Sequence, residues 1–232
     1  MPDDTGESEQ VEQLVSDFAS ARPLYESFVD SMASVLGSLL RAKGIEHLPI
    51  EKRTKTVESF KDKLTRPEKE EKYKAIEDVT DLAGLRVVAY YEKDVVRICD
   101  AINENFDIDE MNSTDKTAAL DPDRFGYLSK HYVLRFDEAR GSLPENVQFK
   151  TLKAEIQVRT VVQHAWAVID RRLRYNNEAD IPRELRRKLF RISALLELAD
   201  WPAPGSEDTE LGVLMEREVG HGEAEVYTRV QA

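Results

Sequence analysis

The sequence predicts an α+β fold in which helices cover a mixed or antiparallel β-sheet. Apolar residues recur at three- and four-residue steps over residues 8–43, as they do in amphipathic helices. The run LRVVAYY at 85–91 is almost continuously apolar, which is typical of a buried central strand. The predicted elements follow in the order helices, strand, helix, strands and helices, and this order indicates an α+β domain.

The N-terminal helical segment is expected to cover residues 1–45. Pro23 is predicted to start a second helix within it, because proline is favoured at the first position of a helix. Thr56 precedes another helical stretch, in which Ser59 stands where a capping box would have glutamate. The sequence therefore carries only part of the capping signal at this helix.

The main domain is expected to cover residues 46–200. Residues 92–106 return to helical spacing after the central strand, and two further strands are predicted at 131–136 and within 149–160, with a Gly/Pro turn between them. A long helix with Val162, Trp166 and Ile169 on one stripe follows, and then a helix over 183–200. Proline and glycine interrupt the pattern after it, which leaves residues 201–232 as a C-terminal helix and tail.

The formal net charge of −12 argues against nonspecific binding of nucleic acid by the whole surface. Lysine and arginine are concentrated in residues 52–74 and 171–191, which fits either a local anionic ligand or ordinary solvated helices. No apolar run approaches the roughly 20 residues of a membrane span, and the acidic N-terminus lacks the pattern of a secretory signal. A lone cysteine, Cys99, suits a reducing compartment, so the expected location is the cytoplasm.

Two stretches place polar groups in or beside strands. Asp81 stands before the central strand and Arg86 lies within it, which fits Mg²⁺ with a phosphate, or a turn cap with a salt bridge. Alternation in AEIQVRT puts Glu155, Gln157 and Arg159 on one strand face, which fits a metal and ligand site or a solvated face. His164 in the helix that follows favours the first interpretation.

A third stretch, DPDRFGYLSKHYVLRF at 121–136, joins a loop to a strand. Tyr127 there offers an aromatic face for a nucleobase, and Lys130 and His131 offer partners for phosphate, although a loop tyrosine packed on the core fits as well. A basic cluster that precedes or lies on a helix suits a polyphosphate; it consists of Arg53, Lys55, Lys61 and Lys63.

Together these segments resemble the synthetase domain of the RelA/SpoT family, the alarmone synthetases. The resemblance covers roughly residues 50–176 and rests on the stretches RTKTVESFKDKL, DVTDLAGLRVVAYYEKDV, DPDRFGYLSKHYVLRF and AEIQVRTVVQHAWAVIDRRLRYN. It implies a nucleotidyltransferase-like mixed sheet flanked by helices, with extra N- and C-terminal helices. It also implies a GTP pyrophosphokinase that uses Mg²⁺ to transfer pyrophosphate from ATP to the 3′-hydroxyl of GDP or GTP, which yields (p)ppGpp and AMP.

The resemblance also implies a role for each matching residue. Asp81 would hold Mg²⁺, and Glu155 would help bind the metal or draw the proton from the attacking hydroxyl. The positions that match ATP contacts are Arg53, Lys55, Lys63 and Arg86. The acceptor guanine would stack on Tyr127, with Lys130 and His131 at its phosphates. The remaining acceptor positions are Gln157, His164 and Arg159.

Two rival functions stay open at this point. Some small relatives are toxins that pyrophosphorylate the 3′ end of tRNA, and the basic segment 171–191 suits RNA, although the net charge does not. A nucleotide-binding regulatory module without catalysis is the other alternative, and the presence of Asp81 and Glu155 argues against it. The first 45 residues are expected to contain no hydrolase half, so regulation would fall to a homo-oligomer or a partner.

Overall fold

The computed structural model describes residues 4–65, 73–115 and 129–174, together with positions 191, 192 and 195 of a later helix. The side chains of residues 4–8, 115 and 170–174 lie outside this description. The chain divides into two units, Met1–Asp200 and Trp201–Ala232, and all described residues belong to the first. The expected helix and tail at 201–232 therefore lie outside the described residues.

The first element, α1, is one continuous helix from Asp4 to Ala42. The expectation that Pro23 starts a second helix is wrong, because Pro23 lies inside α1. Proline removes one helical hydrogen bond, but Phe18 and Phe28 on either side of it are both fully buried in the same core. Packing of the apolar stripe against the rest of the domain keeps the helix continuous.

The six strands form one mixed sheet in the order β1-β2-β6-β5-β3, with β4 also paired to β5. The strands are β1 Glu51–Thr54, β2 Ala83–Ala89, β3 Phe106–Ile108, β4 Thr114–Asp115, β5 Lys130–Phe136 and β6 Ala154–Thr160. The central strands β2 and β6 run parallel, and every other described pair is antiparallel. The predicted α+β class with a mixed sheet is confirmed.

The other helices are α2 Val57–Leu64, α3 Glu92–Asn105, α4 Glu138–Gly141 and α5 Val161–Arg174, with short 3-10 turns at Ile76–Asp78 and Val147–Phe149. Thr56 caps α2, since its side chain accepts a hydrogen bond from the backbone of Ser59. At α5, Thr160 and Gln163 cap each other reciprocally, each backbone N–H donating to the other side chain. None of the described helices combines the length and apolar character that a bilayer crossing requires.

Helices α1 and α3 cover one face of the sheet. The apolar residues of that face, including Leu85, Ile156 and Leu134, are buried in the core with the inner sides of both helices. Successive residues of a strand point to opposite faces, so the polar residues that alternate with these core residues share the other face. This second face carries the candidate site.

Candidate active site

Strand register aligns polar residues from four neighbouring strands. The first row consists of Glu51, Arg86, Gln157 and His131, each the direct partner of the next. The row beside it consists of Arg53, Gly84 and Glu155. Gly84 has no side chain, so in the second row no side chain lies between those of Arg53 and Glu155.

Asp81 lies just before β2, between two lysines from other parts of the chain. Lys55 Nζ is 2.8 Å from Asp81 Oδ2, and Lys63 Nζ is 2.6 Å from Oδ1. Both lysine side chains are largely buried, at 11% and 14% exposure. Burial raises the pKa of Asp81, but the hydrogen bonds and charges of the two lysines outweigh it and hold the pKa below its usual value. Asp81 is therefore ionised at neutral pH.

We expect this cluster to make stability depend on pH. Because the pKa of Asp81 is lower in the folded than in the unfolded chain, its stabilisation is present above the usual aspartate value of 3.8 and is lost as pH falls through the folded pKa. The free energy of unfolding of Asp81→Asn should therefore lie below that of the wild type at neutral pH, with a gap that narrows in acid. Denaturant unfolding across a pH series measures this gap.

The matched control is Asp30→Asn. Asp30 also pairs with a lysine, Lys52, at 2.6 Å, but both side chains are at least half exposed, and exposed pairs contribute little. A gap for Asp81→Asn that does not change with pH would contradict the assignment of its stabilisation to the ionised carboxylate.

Glu155, on β6, is held by residues on both sides of it. His131 Nδ1 lies 2.8 Å from Glu155 Oε1, and Gln157 Nε2 donates to the same oxygen at 2.9 Å. The hydrogen bond from His131 lowers the pKa of Glu155; burial acts against it, and Gln157 adds to the lowering. Glu155 Oε2 makes no hydrogen bond to any described residue. An ionised carboxylate thus keeps one oxygen available for a ligand.

The two carboxylates fit a divalent metal. The charge of Asp81 acts to raise the pKa of Glu155, so the two groups lie within electrostatic reach. Mg²⁺ commonly takes one or two carboxylates and completes its shell with water and substrate phosphates. Within 9–65, 73–114 and 129–169, no group of three or more His, Cys, Asp or Glu side chains could hold a metal. The pair therefore suits a metal that substrate phosphates would help to bind.

Arg86 and Arg53 provide positive charge on the same face. Arg86 Nη1 lies 2.5 Å from Glu51 Oε2, while its buried Nε has no hydrogen-bond partner among the described residues. His164 of α5 lies 3.9 Å from the other oxygen of Glu51, so α5 reaches this end of the row. The Arg53 side chain is exposed and forms no hydrogen bond or ion pair within the described part of the chain.

Two predicted phosphate ligands, Arg159 and Lys130, are not exposed on this face: Arg159 is buried, and Lys130 lies on the opposite face of the sheet. Arg159 is only 4% exposed, and its Nη2 donates to Gln157 Oε1. Lys130 pairs with Val158, on the face opposite His131. There burial raises the pKa of the Cys99 thiol of α3, and the charge of Lys130 acts against that rise. The structure does not bring Lys130 and His131 together as one clamp, because β5 begins at Lys130 and adjacent strand residues diverge.

Tyr127 lies outside the described residues, as does most of the basic segment 171–191. The stacking role of Tyr127 therefore stays a prediction from the resemblance. The predicted site residues on the sheet face of Glu155 come from β1, β2, β6, β5 and α5. Asp81, just before β2, is held by Lys55 after β1 and by Lys63 of α2.

Comparison with known proteins identifies the family. The model for the region found in RelA/SpoT proteins matches residues 52–180, which is more than half of the chain. This chain belongs to the RelA/SpoT family. Over 158 residues it is 28% identical to the GTP pyrophosphokinase YwaC of Bacillus subtilis, which covers 66% of this chain and 72% of the relative.

Solved structures support the same RelA/SpoT fold. Small alarmone synthetase 2 of Bacillus subtilis matches with a TM-score of 0.63 and 22% identity, covering 79% of this chain and 94% of the other. Small alarmone synthetase 1 of the same organism, bound to its product pppGpp, matches with a TM-score of 0.59 and 22% identity, covering 90% and 95%.

Two residues of this RelA/SpoT site were not among the sequence predictions. Glu51 lies on β1, whose four residues are polar and carry no apolar pattern, so no pairing with Arg86 could be predicted. Ser129 contacts His131, with Oγ 2.6 Å from Nε2. Ser129 lies before β5 and outside the predicted strand at 131–136, so strand alternation could not predict the second contact.

Proposed function

We propose that this RelA/SpoT chain is a GTP pyrophosphokinase, which transfers the β,γ-pyrophosphate of ATP to the 3′-hydroxyl of GDP or GTP. The products are AMP and the alarmone (p)ppGpp. The observation that carries the proposal is the pair of ionised carboxylates, Asp81 and Glu155, set among cationic side chains on one sheet face. The name of YwaC and the alarmone bound to small alarmone synthetase 1 support this substrate class.

The ATP phosphates are assigned to the basic side chains around Asp81. Lys55 and Lys63 already bind a carboxylate there, so their ammonium groups are placed to share anionic oxygens. Arg86 has a buried N–H without a described partner, and Arg53 adds an exposed guanidinium in the neighbouring row. A cationic cluster suits phosphoryl transfer, in which catalysis rests on positioning and charge stabilisation.

Glu155 is assigned to the attacking hydroxyl. The new bond joins the 3′-oxygen of the acceptor to the β-phosphorus of ATP; the bond from that phosphorus to the oxygen bridging the α-phosphate breaks, and AMP leaves. Glu155 Oε2 accepts the hydroxyl proton, while Asp81 is the principal residue for Mg²⁺. When bound, Mg²⁺ offsets negative charge on the phosphates and orients them.

The acceptor is assigned to the β5 side of the face. Tyr127 would stack on the guanine, His131, Gln157 and His164 would line the pocket, and Arg159 would orient Gln157 through their hydrogen bond. Lys130, on the opposite face, is left out of this assignment.

Replacing Tyr127 with alanine is expected to raise the KM for the guanine acceptor by about ten- to a hundred-fold, because base stacking contributes about 1–3 kcal/mol. The KM for ATP should stay nearly constant. Steady-state kinetics with each substrate varied in turn measures both values, and Tyr127→Phe, which keeps the aromatic face, is the control. Equal losses for both substrates would contradict the stacking role.

The function is tested with ATP labelled in its β-phosphate, Mg²⁺, and GDP, GTP or deacylated tRNA offered separately. Label on a guanine nucleotide is the expected result. Label on tRNA would instead place the chain with the toxin-type relatives, and transfer to none of the three would overturn the proposal.

Light scattering of the same protein tests whether it is a homo-oligomer. Cell fractionation tests the expected cytoplasmic location.

A further inference from the structure

Ser129 stands at one end of a hydrogen-bonded chain that leads to Glu155. Its Oγ lies 2.6 Å from His131 Nε2, and the other ring nitrogen, Nδ1, lies 2.8 Å from Glu155 Oε1. The His131 and Glu155 side chains are mostly buried, at 18% and 22% exposure. Ser129 immediately precedes β5, and its contact with the His131 ring places its hydroxyl beside the site.

The carboxylate fixes the direction of one of these hydrogen bonds. An ionised carboxylate only accepts, so His131 Nδ1 donates to Glu155 Oε1. A hydroxyl both donates and accepts, so Ser129 Oγ can engage His131 Nε2 in either protonation state of the ring. With both nitrogens engaged, the ring has a single orientation.

A second chain reaches the same oxygen from the other side. Arg159 donates to the Gln157 carbonyl, which directs the Gln157 amide N–H toward Glu155 Oε1. Both chains therefore end on Oε1, and no described residue hydrogen-bonds Oε2. The carboxylate is oriented by its neighbours, with one oxygen kept for the reaction.

We propose that Ser129 is a positioning residue for pyrophosphate transfer. It orients His131, and His131 in turn holds Glu155 so that Oε2 is directed to the acceptor hydroxyl. This inference rests on the proposed function, and within it Ser129 acts through His131 without touching either substrate.

Removal of the hydroxyl in Ser129→Ala is expected to lower kcat by about three- to ten-fold, the effect of one neutral hydrogen bond. The KM for ATP should be unchanged, and the melting temperature should fall by no more than about 2–4 °C, the shift that the loss of one hydrogen bond produces in a domain of this size. Ser129→Thr keeps the hydroxyl and should restore kcat. Equal kcat for wild type and Ser129→Ala, or a loss that Ser129→Thr does not restore, would overturn the proposal.

A double-mutant cycle separates action through His131 from direct action on a substrate. In a His131→Gln background, Ser129→Ala should have no further effect on kcat, because the group it orients is gone. The same fold loss in both backgrounds would mean that Ser129 acts independently of His131 and would overturn the proposal.

The hydrogen bond is also tested without turnover. The chain has four histidines, so the ¹⁵N resonances of His131 can be assigned by comparison with His131→Gln. The Nε2 resonance should shift in Ser129→Ala and return in Ser129→Thr; no shift would overturn the proposal. If the wild type transferred no pyrophosphate, the proposed function would fail, while this measurement would still decide whether Ser129 orients His131.

Discussion

Replacing Glu155 with glutamine is expected to lower kcat by roughly a hundred- to ten-thousand-fold, the range of a general base. The geometry makes this substitution unusually specific. His131 Nδ1 and Gln157 Nε2 both donate to Oε1. The new amide must place its oxygen at that position, because an NH₂ group there would be a donor facing two other donors. The NH₂ group then occupies the position of Oε2, where it can neither accept a proton nor bind a metal.

The fold should tolerate this change, because both hydrogen bonds to Oε1 survive. Steady-state kinetics and thermal unfolding measure the two effects separately. Glu104→Gln is the matched control, since Glu104 lies on α3, behind the sheet, in an exposed pair with Lys43. Full activity of Glu155→Gln would refute the assignment of Glu155 as the base.

The sequence predicted the fold class because the strongest patterns belong to buried elements. The apolar strand β2 and the helical spacing of α1 and α3 are read from neighbouring residues. Strand β1 escaped prediction because its burial pattern shows no buried position, and β3 and β4 are too short to show a period. Polar and very short edge strands are defined by their partners, which local sequence does not reveal.

The site shows the same division between local and distant signals. Alternation placed Glu155, Gln157 and Arg159 on one face, and the structure agrees. The ion pairs of Asp81 join it to residues 26 and 18 positions away, so spacing alone favoured a turn cap over a metal site. The joint placement of Lys130 with His131 did not hold, because the strand starts one residue earlier than predicted.

Replacing Asp81 with asparagine is expected to lower kcat by about a thousand-fold or more. The amide offers one neutral oxygen where the carboxylate offers two charged ones, and a bound metal contributes several kcal/mol to charge stabilisation, with about 1.4 kcal/mol for each factor of ten. Lys55 and Lys63 would also lose the anion that holds them, so two largely buried ammonium groups would repel each other.

Two measurements separate these effects in Asp81→Asn. Isothermal titration of Mg²⁺ in the presence of a non-hydrolysable ATP analogue reports metal affinity, and it should weaken in Asp81→Asn but not in Asp30→Asn. The affinity for the analogue in the absence of metal should not fall as the metal affinity does, since both lysines become available to phosphate. If Asp81→Asn lost turnover but kept its metal affinity, Asp81 would not be the metal ligand. Its role would then be to position Lys55 and Lys63.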